Sequence, residues 1–229
     1  MKPNERFIVA LDILDFERIK SLVDSLDDLC KIFKVGPSLF LRYGKEIIDF
    51  LKKREKSIFL DLKLNDIPNS IGCAVKEASD MGIDMLTIHT LGGREMLECA
   101  VSSRKGNLPL LLGVTILTSL DKNWFSYMRI DFTIDEMVSY LSLMAKEADF
   151  DGVIASAMEI REIKDTCGKD FLVVVPGIRL FESLDDQKRK ATPKEAISSG
   201  ADYIVVGRPI TNAENPREIV RKITESLVY

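Results

Sequence analysis

A chain of 229 residues, 46% of them hydrophobic, can bury one sizeable core and is short enough for a single domain, here residues 1–229. Its formal net charge of −4 offers no broad attraction to nucleic acid or to an anionic membrane, so any bound anion must be held by a local site. The N-terminus carries no legible secretion signal, and the longest apolar stretch, Leu108 to Leu117, is broken by Pro109, Gly113 and Thr115 and is too short for a membrane helix; a soluble, cytoplasmic protein is expected.

Along the chain, short β-rich apolar runs alternate with segments of helical period. Strands are expected at Phe7 to Leu11, Lys31 to Val35, Ser57 to Leu62, Met85 to His89, Leu110 to Ile116, Gly152 to Ala155, Phe171 to Val175 and Tyr203 to Val206. Helices are expected at Asp15 to Leu26, Ser38 to Lys53, Asn69 to Met81, Gly93 to Ser103 and Asp135 to Ala148, with Pro216 opening the last. The strands are apolar with little alternation, as strands covered on both faces should be. Eight βα units without a composition break point to an α/β fold, a (β/α)8 TIM barrel, the alternative being an open doubly wound sheet.

Cys30, Cys73, Cys99 and Cys167 are scattered, with no C-x-x-C pair and no histidine at zinc spacing, and are read as buried reduced thiols; neither metal nor cofactor is expected. Trp124 and Tyr127, after the fifth strand, are read as packing against the barrel, and His89 as a strand-end imidazole satisfied by its neighbours.

Asp12, Lys34, Asp61, Lys63, His89, Thr118, Pro176 and Gly207-Arg208 all fall at or just past the C-terminal end of a strand, the face on which barrel enzymes build their sites. In Asp61-Leu62-Lys63-Leu64-Asn65-Asp66-Ile67-Pro68, alternation turns Asp61 and Lys63 to one side of the strand. Buried charges need partners, and topology offers Lys34 and Asp66. On this pattern alone an ion-pair lattice closing the barrel and a catalytic site are equally good readings. Asp12 is open to two readings, ligand and helix N-cap, and Gly207-Arg208 to two more, phosphate cradle and strand-end turn.

The run from Asp61 to Ser70 resembles the orotidine monophosphate decarboxylase signature D-x-K-x-x-D-I-P-x-T, with Ser70 where that family usually has threonine. The likeness extends through Ala10-Leu11-Asp12, Phe33-Lys34-Val35-Gly36, His89 with Gly92-Gly93, Leu117-Thr118-Ser119, Pro176-Gly177-Ile178-Arg179, Asp186-Gln187, Ala191-Thr192-Pro193 and Val206-Gly207-Arg208-Pro209-Ile210, in the family's order.

The resemblance implies decarboxylation of orotidine 5'-monophosphate to uridine 5'-monophosphate, in pyrimidine biosynthesis, without a cofactor. It implies Lys63 as electrostatic stabiliser and general acid, Asp61 beside the departing carboxylate, and Lys34 bridging the charges and the ribose, with Asp12 on the ribose hydroxyls. Asp66, Ile67 and Ser70 would touch substrate, Asp66 across a homodimer interface. Thr118 would hydrogen-bond the pyrimidine edge and Pro176 would touch the substrate, while Arg179, Gly207 and Arg208 would hold the phosphate. The long polar loop between Arg179 and Pro193 suggests a lid with Gln187 as its working residue.

Two other readings share the pattern. One is a magnesium-dependent decarboxylase resembling 3-keto-gulonate-phosphate decarboxylase; Ile67-Pro68-Asn69-Ser70 and the long loop count against it. The other is a phosphate-ligand binder without catalysis, which has no need of Lys63 between two aspartates.

Overall fold

Eight short runs of apolar, largely β-branched residues form the strands of the computed structural model, which describes residues 5–178 and 191–227. They are β1 (Phe7–Ala10), β2 (Ile32–Val35), β3 (Ser57–Leu64), β4 (Met85–His89), β5 (Leu110–Val114), β6 (Gly152–Ile154), β7 (Leu172–Val175) and β8 (Tyr203–Val206). Each pairs in parallel with the next, and β8 returns to β1 through Phe7↔Ile204, Ile8↔Val205 and Val9↔Val206. Closure leaves no strand edge exposed, and this settles the choice between a barrel and an open sheet.

Alternation along these strands separates two apolar layers. Ile8, Ala10, Ile32, Phe59, Met85, Leu112, Val174 and Val205 fill the barrel interior. Their neighbours, such as Val9, Phe33, Leu60, Ile88 and Val173, pack under the helices. Both faces are therefore apolar, which is why the strands read as unbroken hydrophobic runs.

The covering helices are α1 (Phe16–Ser25), α2 (Pro37–Tyr43), α3 (Lys45–Lys52), α4 (Pro68–Asp80), α5 (Arg94–Ser103), α6 (Lys122–Tyr127), α7 (Ile134–Glu147), α8 (Ile160–Cys167), α9 (Pro193–Ser198), α10 (Arg208–Thr211) and α11 (Pro216–Ser226). The single helix expected over Ser38 to Lys53 is two, because Gly44 at φ +50° and ψ −125° breaks the ladder between α2 and α3. The T-x-x-E pattern forms capping boxes at Thr133 with Glu136 and Thr192 with Glu195, which start α7 and α9.

Other expectations need correction. The strand expected over Leu110 to Ile116 ends at Val114, and Leu108, at the start of the apolar stretch, is half-exposed before Pro109. Trp124 packs on the outer layer, but Tyr127 is 84% exposed, at the C-terminal end of α6 with its ring in solvent. Cys30 and Cys167 are buried and Cys99 partly so, whereas Cys73 is exposed on α4. No described helix is long and apolar enough to cross a membrane.

The N-terminal end of the barrel is closed by one device used three times. The aspartate just before β4, β6 and β8 accepts a backbone N–H from the preceding strand: Asp84 from Ile58 at 2.7 Å, Asp151 from Leu111 at 2.8 Å and Asp202 from Val173 at 2.8 Å. Each carboxylate also holds a helix-borne cation, Lys52 at 3.2 Å, Arg104 at 2.7 Å and Lys164 at 2.7 Å. Paired in this way, the half-buried charges tie helix to strand, leaving the opposite end free for function.

Candidate active site

At the C-terminal end of the barrel the interior positions change from apolar to charged. Lys34 stands two residues beyond Ile32, Asp61 two beyond Phe59, and Asp12 two beyond Ala10, so the alternation that fills the core also raises these groups at its mouth.

The centre is Asp61, 8% exposed. Its Oδ1 accepts from Lys63 Nζ at 2.7 Å and from the Thr87 hydroxyl at 3.1 Å. Its Oδ2 lies 3.4 Å from Lys34 Nζ, which also donates to Asp12 Oδ1 at 3.2 Å. Charges thus alternate Asp12, Lys34, Asp61, Lys63. Burial pushes the Asp61 carboxyl upward, but the Lys34 and Lys63 charges and the bonds from Lys63 and Thr87 outweigh it and hold the group below the usual carboxylate range. Asp61 is an anion at neutral pH with an ammonium on each side.

Lys63 is in an unusual backbone state. Leu60 pairs with Leu86 and Leu64 with Ile88, so four steps along β3 answer to two along β4. Lys63, within that slip, has φ +50°, a left-handed conformation that costs a residue with a side chain about 1–3 kcal/mol. Its N–H has lost a strand partner and donates instead to Thr87 Oγ1 at 2.8 Å.

Other expected site residues are distributed as follows. Asp12 does not cap α1; Asp15 does, accepting from the Arg18 N–H at 3.1 Å, which leaves Asp12 to Lys34. Asp66 does not enter the charge chain: it lies in the turn between β3 and α4, exposed, with Oδ1 accepting the Ile67 N–H at 2.7 Å. Ile67 beside it is 66% exposed, a large apolar side chain in solvent. Ser70 lies in the first turn of α4, partly buried. Thr118 is exposed in the turn after β5 and Pro176 is partly buried after β7. Gly207 follows β8 so closely that a Cβ there would stand 3.3 Å from Ala10 Cβ and 3.4 Å from Asp12 Oδ2, and Arg208 is exposed beside it. Arg179 and Gln187 lie outside the described residues.

His89 departs from expectation. It sits two residues beyond Thr87 at the end of β4, and its Nδ1 is buried without a hydrogen-bond partner among the described residues. Burial, then the Lys63 charge, hold its pKa below the usual histidine value, so it is neutral at pH 7. Among the described residues no three His, Cys, Asp or Glu side chains gather in a way that could hold a metal ion.

Sequence reasoning passed over Thr87. The signal was available, since Met85, Thr87 and His89 share one face of β4 and Met85 pairs with Phe59, which sets a buried hydroxyl near Asp61.

The sequence profile of the orotidine 5'-phosphate decarboxylase / HUMPS family matches residues 5–223. The chain belongs to this family. It is 46% identical to an orotidine 5'-phosphate decarboxylase of Carboxydothermus hydrogenoformans, over 98% of this chain and 96% of that one. It is 42% identical to one of Legionella pneumophila, over 97% and 99%. The crystal structure of the enzyme from Lactobacillus acidophilus superposes with a TM-score of 0.85 at 35% identity, covering 97% of this chain and 99% of the other. The likeness covers nearly the whole chain, in sequence and in fold.

Proposed function

We propose that Lys63 carries the chemistry of this family in the present chain. The reaction is the decarboxylation of orotidine 5'-monophosphate to uridine 5'-monophosphate in pyrimidine biosynthesis. The C–CO₂ bond breaks, its electron pair stays on the pyrimidine carbon, and that carbon then takes a proton. With no conjugated sink for the pair, a cation must lie beside it. Lys63 meets both needs: its ammonium opposes the developing negative charge and supplies the proton, and solvent later reprotonates the amine. The observation that carries this reading is the 2.7 Å contact between Lys63 Nζ and the buried Asp61, which pairs the ammonium with a carboxylate and aims it.

Asp61 lies beside the departing carboxylate, and Lys34 links it to Asp12, which accepts from the ribose hydroxyls. Gly207 and Arg208 receive the phosphate, with Arg179 and Gln187 from the loop after β7, while Thr118 and Pro176 border the pyrimidine. Ile67 and Ser70 touch the substrate, and Asp66 serves the site of a second copy, making the enzyme a homodimer. The exposure of Asp66 and Ile67 on the turn between β3 and α4 favours this arrangement. One domain spans the chain, and the protein works in the cytoplasm.

The deciding experiment follows the absorbance of orotidine 5'-monophosphate with purified protein in excess EDTA. Wild-type protein converts it, and Lys63→Ala abolishes turnover while still binding uridine 5'-monophosphate. Near-normal turnover by Lys63→Ala would overturn the role of the lysine. Conversion of a keto-sugar phosphate after magnesium addition, with none of the nucleotide, would give the same barrel a different substrate.

A further inference from the structure

The hydroxyl of Thr87 belongs to neither the apolar interior nor the charge chain, yet it joins both ends of the proposed acid. Thr87 is fully buried on β4, two residues above the interior Met85 and two below His89. Its Oγ1 accepts the Lys63 N–H at 2.8 Å and donates to Asp61 Oδ1 at 3.1 Å. Asp61 Oδ1 in turn receives the Lys63 ammonium at 2.7 Å. The three groups close a ring: Lys63 backbone to Thr87, Thr87 to Asp61, Asp61 to the tip of the Lys63 side chain.

We propose that Thr87 is a positioning residue for the decarboxylation, its one hydroxyl fixing the left-handed backbone of Lys63 and the orientation of the Asp61 carboxylate together.

A backbone N–H displaced from its strand ladder and buried must find a partner or lose a hydrogen bond, and here the partner is a side chain from the neighbouring strand. The same oxygen uses its single proton on Asp61. A hydroxyl is the smallest group that accepts and donates at once, and β-branching restricts its rotamer. Without it, φ +50° at Lys63 has no backbone tether, and relaxation toward an ordinary strand conformation would swing the ammonium from its place. Misplacement of a reacting group by about 1 Å can cost on the order of 100-fold in rate. Thr87 itself touches the reaction only through Lys63 and Asp61.

The inference rests on the reading of Lys63 as the acid, so both are tested in one series: Lys63→Ala, Thr87→Val and Thr87→Ser, assayed for kcat and KM with orotidine 5'-monophosphate. Thr87→Val keeps the shape and removes the hydroxyl; kcat falls about 10- to 100-fold while KM and uridine 5'-monophosphate binding stay within about threefold. Thr87→Ser restores the hydroxyl and recovers kcat to within about fivefold of wild type. In Thr87→Val the acid limb of the kcat profile also moves to higher pH, because Asp61 has lost a donor that stabilises its anion. Wild-type kcat in Thr87→Val, with Lys63→Ala inactive, overturns the inference and leaves the lysine reading intact. Equal losses in Thr87→Val and Thr87→Ser, with lowered melting temperature, overturn it in favour of simple packing. Turnover by Lys63→Ala removes the reading on which it rests.

Discussion

The ammonium of Lys34 lies 3.4 Å from Asp61 Oδ2, and its second partner is Asp12 Oδ1 at 3.2 Å. One charge therefore joins the half-exposed outer carboxylate to the buried inner one, and in the proposed enzyme it joins the ribose end of the substrate to the reacting end.

Replacing that charge is the direct test of its electrostatic part. In Lys34→Met the Asp61 carboxyl, now opposed by Lys63 alone, titrates at higher pH than in wild type, read by carbon NMR of labelled aspartate. In wild type the folded-state pKa is depressed, so Asp61 contributes stability above the unfolded-state value of about 3.9 and loses it as pH falls through the folded value. Lys34→Met raises the folded value toward the unfolded one and so narrows that acid window from below. An unchanged titration would show that the hydrogen bonds from Lys63 and Thr87, and not the Lys34 charge, hold the anion.

The opposite end of the barrel separates stability from activity. Asp202→Ala leaves the Val173 N–H and Lys164 without their shared partner and is expected to destabilise the fold by roughly 2–4 kcal/mol. Well below the melting temperature kcat and KM remain at wild-type values. A tenfold loss of kcat in folded protein would mean that the two ends of the barrel are coupled.

Gly207→Ala adds a Cβ 3.3 Å from Ala10 Cβ and 3.4 Å from Asp12 Oδ2, contacts close enough that the turn or its neighbours must give by a few tenths of an ångström. Since that turn is the proposed phosphate cradle, KM for the nucleotide rises roughly tenfold, equivalent to about 1.4 kcal/mol, with kcat changed less. The loss disappears when the nucleoside without phosphate is compared. An equal loss for both would move the phosphate elsewhere.

Asp66 offers a test of the homodimer. Lys63→Ala and Asp66→Asn are each inactive as pure proteins. Mixed, unfolded and refolded together, they regain roughly one quarter of wild-type activity, because half of the dimers are mixed and each mixed dimer has one intact site. No recovery from a mixture that demonstrably forms mixed dimers would confine Asp66 to its own protomer.

Much of this molecule was written in local sequence. Eight apolar runs bounded by turns fix eight strands, and a period of two places Lys34 and Asp61 on the inner side of the mouth, since strand geometry alone sets which residues share a face. The D-x-K-x-x-D-I-P run resembles its family without reference to any contact. Tertiary structure decided what depends on neighbours far along the chain. Closure of β8 on β1, the slip between β3 and β4, and the Thr87 hydroxyl spanning Asp61 and Lys63 each join residues at least 24 positions apart, where no local pattern records the register. The break at Gly44 was visible as a glycine, but a helical pattern tolerates glycine, and only packing set its φ at +50°. Asp66 stands out from the other charges for a similar reason: sequence spacing makes it one of a set with Asp61 and Lys63, while the turn into α4 leaves it exposed with its Oδ1 on the Ile67 N–H.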